Sequence, residues 1–345
     1  MSVLEELKPQ FHTAFPRLAS GKYVHFLLVR YSQSFPVFQT DDVLNTTRTQ
    51  AGLNFDEKSK QSISRLVMFK RKQVTPERLA GRQLLRSLEL TSAVEGEDGF
   101  CEYNSQKSCK KCPDCIIYGF AIGDKGAERS KVYSDSAFSL SPYELSHRSF
   151  TFNAPSENGT MSDKGEMRSS INELDHILPE VAFPSVETLR DPTFEGFIYV
   201  LGNLIRTRRY GGQESRTGVM TNYIVGTVFC DGEIFSNLHF TQALYDALSS
   251  KGEAYVPIGE LRQEAAKVAR NCFEQEPVRS RRSIFGSEVE QLLEEVIDIY
   301  QDEVKLRTIM NRLCRQTQTY SESYGALFPK KKKEERSQAE QGFSI

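Results

Sequence analysis

Cys101, Cys109, Cys112 and Cys115 stand in the spacing C-x7-C-x2-C-x2-C, within a polar stretch of an otherwise cysteine-poor chain. Thiolates separated by two residues reach one ion from a single tight turn. Lys107, Lys110 and Lys111 lie beside them, where cations lower thiol pKa values and offset the charge of a thiolate cage. Four thiolates fill a zinc tetrahedron and leave no open position, so the expected role of Zn2+ here is to pin a loop rather than to catalyse. An iron–sulfur cluster is the alternative chemistry. Bacterial ferredoxin motifs, however, continue with a further Cys-Pro at short spacing, whereas Cys115 is followed by IIYGF.

The second constellation is RTRRYGGQESRTG, residues 206 to 218, in which Arg206, Arg208, Arg209, Ser215 and Arg216 stand among Gly211, Gly212 and Gly218. Glycines let the backbone approach a ligand closely, guanidinium forks grip phosphates, and Tyr210 is placed to stack on a base. A tight turn carrying solvated arginines is the competing explanation. Between Arg65 and Arg86 there are seven basic residues, Arg65, Lys70, Arg71, Lys72, Arg78, Arg82 and Arg86, against Glu77 alone. Lys70, Arg71 and Lys72 join the arginine loop as expected phosphate contacts. Thr75 reads as an N-cap with Pro76 at the first helical position, and Arg78, Arg82 and Arg86 form a stripe facing solvent or phosphate. The segment Glu288 to Glu303 is acidic, so one molecule of net charge −2 carries opposed patches, which suits head-to-tail self-assembly along a polyanion.

The common nucleotide and hydrolase signatures are absent, and His12, His25, His147, His176 and His239 are scattered singly. Asp41 and Asp42, in the long polar connection of residues 35 to 60, are the best candidates for a metal-dependent nuclease. Two adjacent acids alone do not make a two-metal site. Cys230, Cys272 and Cys314 read as buried thiols. No apolar run approaches membrane-spanning length, the N-terminus has no signal-peptide pattern, and a cytoplasmic location is expected.

The elements that position these residues are legible in part. Lys22 to Tyr31 reads as a central strand buried on both faces, Ser64 to Phe69 as another, and Phe194 to Leu201 and Val219 to Cys230 as core strands. Residues 141 to 190 are broken by Pro142, Pro155, Pro179 and Pro184 and read as irregular. Helical spacing governs the C-terminal third, where Ser287 and Glu290 form a capping box before an apolar face running from Val289 to Val304.

Taken together, FKRKQVTPERLAGRQLLRSLE at 69 to 89, the cysteine insert and the arginine loop resemble the repeated backbone subunit of the type I-D CRISPR interference (Cascade) complex, a member of the RAMP superfamily. The resemblance implies an α+β fold with an RRM-like (ferredoxin-like) antiparallel core at 18–90 and 190–235. It adds a zinc-binding insertion at 91–130, a thumb-like or lid-like insertion at 141–190, a helical region at 236–328 and a disordered tail at 329–345. It further implies copies polymerised along a CRISPR RNA, with target DNA (alternatively RNA), other Cascade subunits and neighbouring copies as partners and with no membrane. Related type III backbone subunits place an Asp that supports target-RNA cleavage in the loop holding Asp41 and Asp42, which keeps a nuclease as the alternative.

Overall fold

Tyr23–Ser32 is the middle strand of a five-stranded antiparallel sheet and is buried along nearly its whole length. It pairs with Ala182–Arg190 on one side and Met220–Cys230 on the other; Val132–Ser134 and Arg282–Phe285 form the two edges. A computed structural model describes residues 2–40, 43–54, 56–91, 101–123, 126–151, 162–163, 166–167, 173–211, 215–249 and 256–324. Successive side chains of a strand point to opposite faces, and both faces here are apolar. Val24, Phe26 and Leu28 join a cluster formed with helices Lys70–Ser87, Phe194–Arg206, Ser287–Gln301 and Glu303–Tyr324. Leu27, Val29 and Tyr31 join another, formed with helices Asn237–Ser249 and Ile258–Glu274. A third cluster, containing Phe38, Leu44, Leu66, Met68, Phe183, Tyr210 and Met220, lies toward the Ser32 end of the middle strand. A smaller sheet orders Thr46–Gln50, Ser62–Met68 and Ala137–Phe138. The protein is thus a mixed α+β molecule built on antiparallel sheets.

Several expectations are corrected. Phe194–Arg206 is a helix, capped by the Thr193 side chain, not a strand. A short apolar run buried all round has no exposed face to reveal its period. Ala182–Arg190, expected to belong to an irregular insertion, is a strand of the main sheet, with Pro184 opposite Val29. A proline removes one ladder donor, and the burial of Ala182, Phe183, Val186 and Leu189 outweighs that loss. The basic helix begins at Lys70 with Phe69 as N-cap, so Thr75 and Pro76 are inside it. Ser287 follows its N-cap, Gly286, and does not cap the helix itself. That helix stops at Gln301, and the Asp302 carboxylate then accepts from the amides of Val304 and Lys305 to start the next one. No described helix is long and apolar enough to cross a membrane. The expected tail at 329–345 lies outside the described residues.

Candidate nucleic-acid interface and metal centre

The four clustered cysteines come together as their spacing predicts. All four sulfurs lie within 4.8 Å of one another, with Cys101, Cys112 and Cys115 buried. Sγ–Sγ separations are 3.5 Å for Cys101–Cys115, 3.9 Å for Cys101–Cys112 and 4.0 Å for Cys109–Cys115. Zn–S bonds of about 2.3 Å in a tetrahedron place sulfurs about 3.8 Å apart, so the set is compatible with zinc. Lys110 takes a left-handed φ of 60° in the turn between Cys109 and Cys112. The amide of Cys112 donates to the Cys109 sulfur at 3.3 Å, and that of Cys109 to the Cys101 sulfur at 3.2 Å. Cys112 also starts the short helix Pro113–Ile117, which carries Cys115.

The expected stripe of Arg78, Arg82 and Arg86 is not a single open face. Arg78 forms a two-pronged pair with the fully buried Asp114, at 3.0 and 2.8 Å. Arg82 is buried as well and contacts both Asp114 and the Cys101 sulfur, the latter at 3.2 Å. Burial alone would lower the Arg82 pKa, but Asp114 and Cys101 outweigh it and the net shift is upward. These two arginines moor the cysteine module to the basic helix, and the Arg82 guanidinium touches the cysteine cluster. Only Arg86 of the three is exposed. Arg65 likewise leaves the basic surface: it is buried and donates to the carbonyls of Ala51, Ser139 and Leu140.

The arginine loop connects helix Phe194–Arg206 to strand Met220–Cys230. Arg208, Arg209, Ser215 and Arg216 are exposed. Arg208 donates one bond to Thr221 Oγ1 at 2.8 Å and Arg209 one to the Thr217 carbonyl. Each guanidinium has five N–H groups, so these bonds orient the forks without exhausting them. Arg206 ends the preceding helix, its guanidinium 5.3 Å from the centre of the Tyr300 ring. Gly211 has a φ of +100°, and a Cβ there would meet the Val37 carbonyl at 2.2 Å, so only glycine allows this approach. Gly212 lies outside the described residues.

Tyr210 overturns the stacking expectation: it is fully buried, so its ring cannot meet a base. Its hydroxyl donates to Glu77 at 2.8 Å and accepts from Arg30 Nη1 at 3.1 Å and from Asn222 Nδ2 at 2.5 Å. Arg30, also fully buried, pairs with Glu77 and with Glu187 at 3.0 Å. Burial, with Glu77 nearby, raises the Glu187 pKa far above the usual carboxylate range, which relieves the excess of negative charge around a single guanidinium. This network joins the middle strand (Arg30), its two neighbours (Glu187 and Asn222), the basic helix (Glu77) and the arginine loop (Tyr210). Sequence reasoning missed it, although an arginine inside the apolar run KYVHFLLVRY is a signal of a buried, partnered charge.

Lys70 and Arg71 are exposed and Lys72 is half-buried, with its pKa lowered by burial and then by Arg71. They occupy the first turn of their helix, where the helix dipole disfavours cations and favours an anion. Phe69 just before them is 43% exposed. The neighbouring Met68 shares its apolar cluster with Tyr210, so the loop and the helix start rest on common core.

No acid–base set accompanies these cations among the described residues. Ser20 Oγ approaches His12 Nε2 at 2.8 Å, but it donates to Asp191 at 2.6 Å. A nucleophilic triad needs the carboxylate on the far nitrogen of the imidazole instead. Asp41 and Asp42 lie outside the described residues. In the acidic segment, Glu295 accepts from the amides of Val3 and Leu4 and Glu288 pairs with Arg282, while Glu290, Glu294 and Asp298 are exposed.

The fold is shared with a known structure. Thermofilum pendens Csc2 superposes with a TM-score of 0.59 at 13% identity, covering 94% of this chain and 98% of that one. A chain of a CRISPR RNA-guided surveillance complex gives a TM-score of 0.44 at 13% identity, covering 76% of this chain and 88% of its own. A chain of a pre-nicking CRISPR RNA-guided surveillance complex gives 0.47 at 12%, covering 76% and 91%. No curated protein matches the sequence significantly. The family model described as Csc2 Crispr matches residues 10–310, most of the 345-residue chain. On that match, the protein belongs to the Csc2 CRISPR family.

Proposed function

We propose that this protein is a backbone subunit of a type I-D Cascade complex, in which copies join head-to-tail along a CRISPR RNA and hold the paired target DNA. The observation that carries the reading is the exposed Arg208, Arg209 and Arg216, held on a loop whose root is fixed by the buried Tyr210–Glu77–Arg30 network. A rigid root with exposed forks grips backbone phosphates without reading bases, and base pairing by the guide then supplies sequence recognition. Lys70, Arg71 and Lys72 add positive charge over a helix start that favours anions. Family membership supports the assignment to CRISPR interference.

The order strand Tyr23–Ser32, helix Lys70–Ser87, strands Val132–Ser134 and Ala182–Arg190, helix Phe194–Arg206, strand Met220–Cys230 supports an RRM-like core. On this reading the hairpin of His147–Thr151 with Glu173–Ile177 is the base of the thumb. The cysteine set holds a structural zinc that keeps its module moored through Asp114 to the basic helix. The exposed Glu290, Glu294 and Asp298 are available to the basic surface of a neighbouring copy, and the protein acts without catalysing cleavage itself.

Purification of the assembled complex from its host, followed by nuclease digestion and sequencing of the protected RNA, tests the assignment. Uniform CRISPR-derived fragments are expected. Protected RNA of mixed origin from an intact complex would overturn it.

A further inference from the structure

With Tyr210 buried, the arginine loop needs another surface to receive a base, and the structure offers one beside it. Phe35 is 40% exposed and lies just beyond the middle strand. Its carbonyl accepts from the amide of Gly218 at 2.9 Å, and a Cβ on Gly218 would fall 2.5 Å from the Phe35 backbone. The arginine loop is therefore pressed directly onto this residue. On the other side, Phe150 meets the Phe35 ring in a T-shaped contact, centroids 5.2 Å apart and planes at 82°. Phe150 is itself braced by His176 at 5.4 Å, across the hairpin of His147–Thr151 and Glu173–Ile177. The exposed Arg148 lies two residues away, its guanidinium 5.8 Å from the centre of the Phe150 ring. Phe35 is thus fixed in place yet incompletely covered, bonded to the arginine loop on one side and packed on the ring that Arg148 adjoins on the other.

We propose that Phe35, braced by Phe150 and flanked by Arg148, is a stacking platform for one unpaired base of the single-stranded RNA whose phosphates Arg208, Arg209 and Arg216 hold. The inference rests on the phosphate-binding reading and adds the contact that loop cannot supply. Charge decides the occupant: an aromatic ring among guanidinium groups suits a polyanion that also carries π-faces, and stacking is indifferent to base identity.

The test uses the full-length chain and an unstructured oligoribonucleotide. Affinity is measured against salt concentration for wild type, Phe35→Ala, Phe35→Leu and Phe35→Tyr, with thermal melting of each variant. In parallel, the wild-type protein is photo-crosslinked to the same RNA carrying 4-thiouridine. Stacking on one base predicts that Phe35→Ala and Phe35→Leu lower affinity roughly 5- to 150-fold. The salt slope should not change, Phe35→Tyr should bind like wild type, and crosslinks should map to the peptides holding Phe35 or Phe150. Wild-type affinity in Phe35→Ala and Phe35→Leu, or crosslinks confined to other peptides, would overturn the platform. So would a loss of chain–chain association at unchanged RNA affinity, which would assign the ring to a protein contact. The two readings fail separately. A reduced salt slope in the arginine-loop variants with no effect at Phe35 removes the platform alone, whereas an unchanged slope in those variants removes phosphate binding.

Discussion

Replacing Arg208, Arg209 and Arg216 together with alanine removes three of the four exposed guanidinium groups of residues 206–218 and leaves the root of the loop intact, because the buried Tyr210, Glu77, Arg30 and Asn222 are untouched. Arg206 is kept, since its guanidinium packs on Tyr300. The internal bonds lost are those of Arg208 to Thr221 and of Arg209 to the Thr217 carbonyl, worth about 0.5–1.5 kcal/mol each at most and less in a solvated setting. The variant should therefore fold. Each phosphate contact on a single strand contributes about 0.7 to the slope of log K against log salt, so the slope should fall by about 2. In raw affinity, raising salt from about 50 to about 200 mM should then weaken wild type about 20-fold more than the variant. Binding of two unrelated RNA sequences is measured across that range after melting confirms the fold. Both sequences should lose affinity equally, and the wild-type and variant curves should converge at high salt. An unchanged slope would show that these arginines do not neutralise phosphates. A loss confined to one sequence would mean that an arginine reads a base edge, which costs about 1–3 kcal/mol against one nucleotide only.

Three further outcomes are expected. Elemental analysis should find one zinc per chain and none after Cys101→Ser with Cys112→Ser, with a lowered melting temperature because the moored module loses its pin; iron, or full zinc in the double variant, would refute the assignment. Tyr210→Phe should lower unfolding stability by about 1–3 kcal/mol, because buried Glu77, Arg30 and Asn222 each lose a partner, while the salt slope of RNA binding stays the same. Unchanged stability in that variant would contradict the network. His25 is almost fully buried, bonded to Thr188 and the Gly232 carbonyl, and burial lowers its pKa from 6.5 to about 4. Between those values the unfolded chain binds a proton that the folded chain refuses, so this residue's contribution is intact above about pH 6.5 and is lost on acidification, by about 3 kcal/mol on reaching pH 4. His25→Gln should flatten that part of the stability–pH profile, and an identical slope in variant and wild type would refute the shift.

The cysteine spacing determined that the four sulfurs converge, because thiols within one short loop have few ways to avoid one another once the turn forms. The middle strand and the helices Asn237–Ser249 and Ile258–Glu274 were equally readable, since their burial leaves a local pattern: both sheet faces are covered along Tyr23–Ser32, and one face of each helix is apolar. Phe194–Arg206 was not readable as a helix, because burial on all sides erases the period that separates helix from strand. Ala182–Arg190 was hidden by Pro184, whose local cost is overridden by two flanking layers of core. At the proposed interface, sequence alone located the arginine-rich loop and could say which residues were charged. It could not say which charges faced water. Arg65 and Arg82 share a basic stretch with Lys70 and Arg71, yet the first two are buried by partners 14 to 75 residues away in the chain. Tyr210 sits among exposed arginines and is itself buried because Glu77, Arg30 and Asn222 converge on its hydroxyl from three other elements. Residue type and spacing fix which chemistry is available; only tertiary packing, which brings distant polar partners within hydrogen-bond reach, decides which of those groups are used inside the protein and which remain for a ligand.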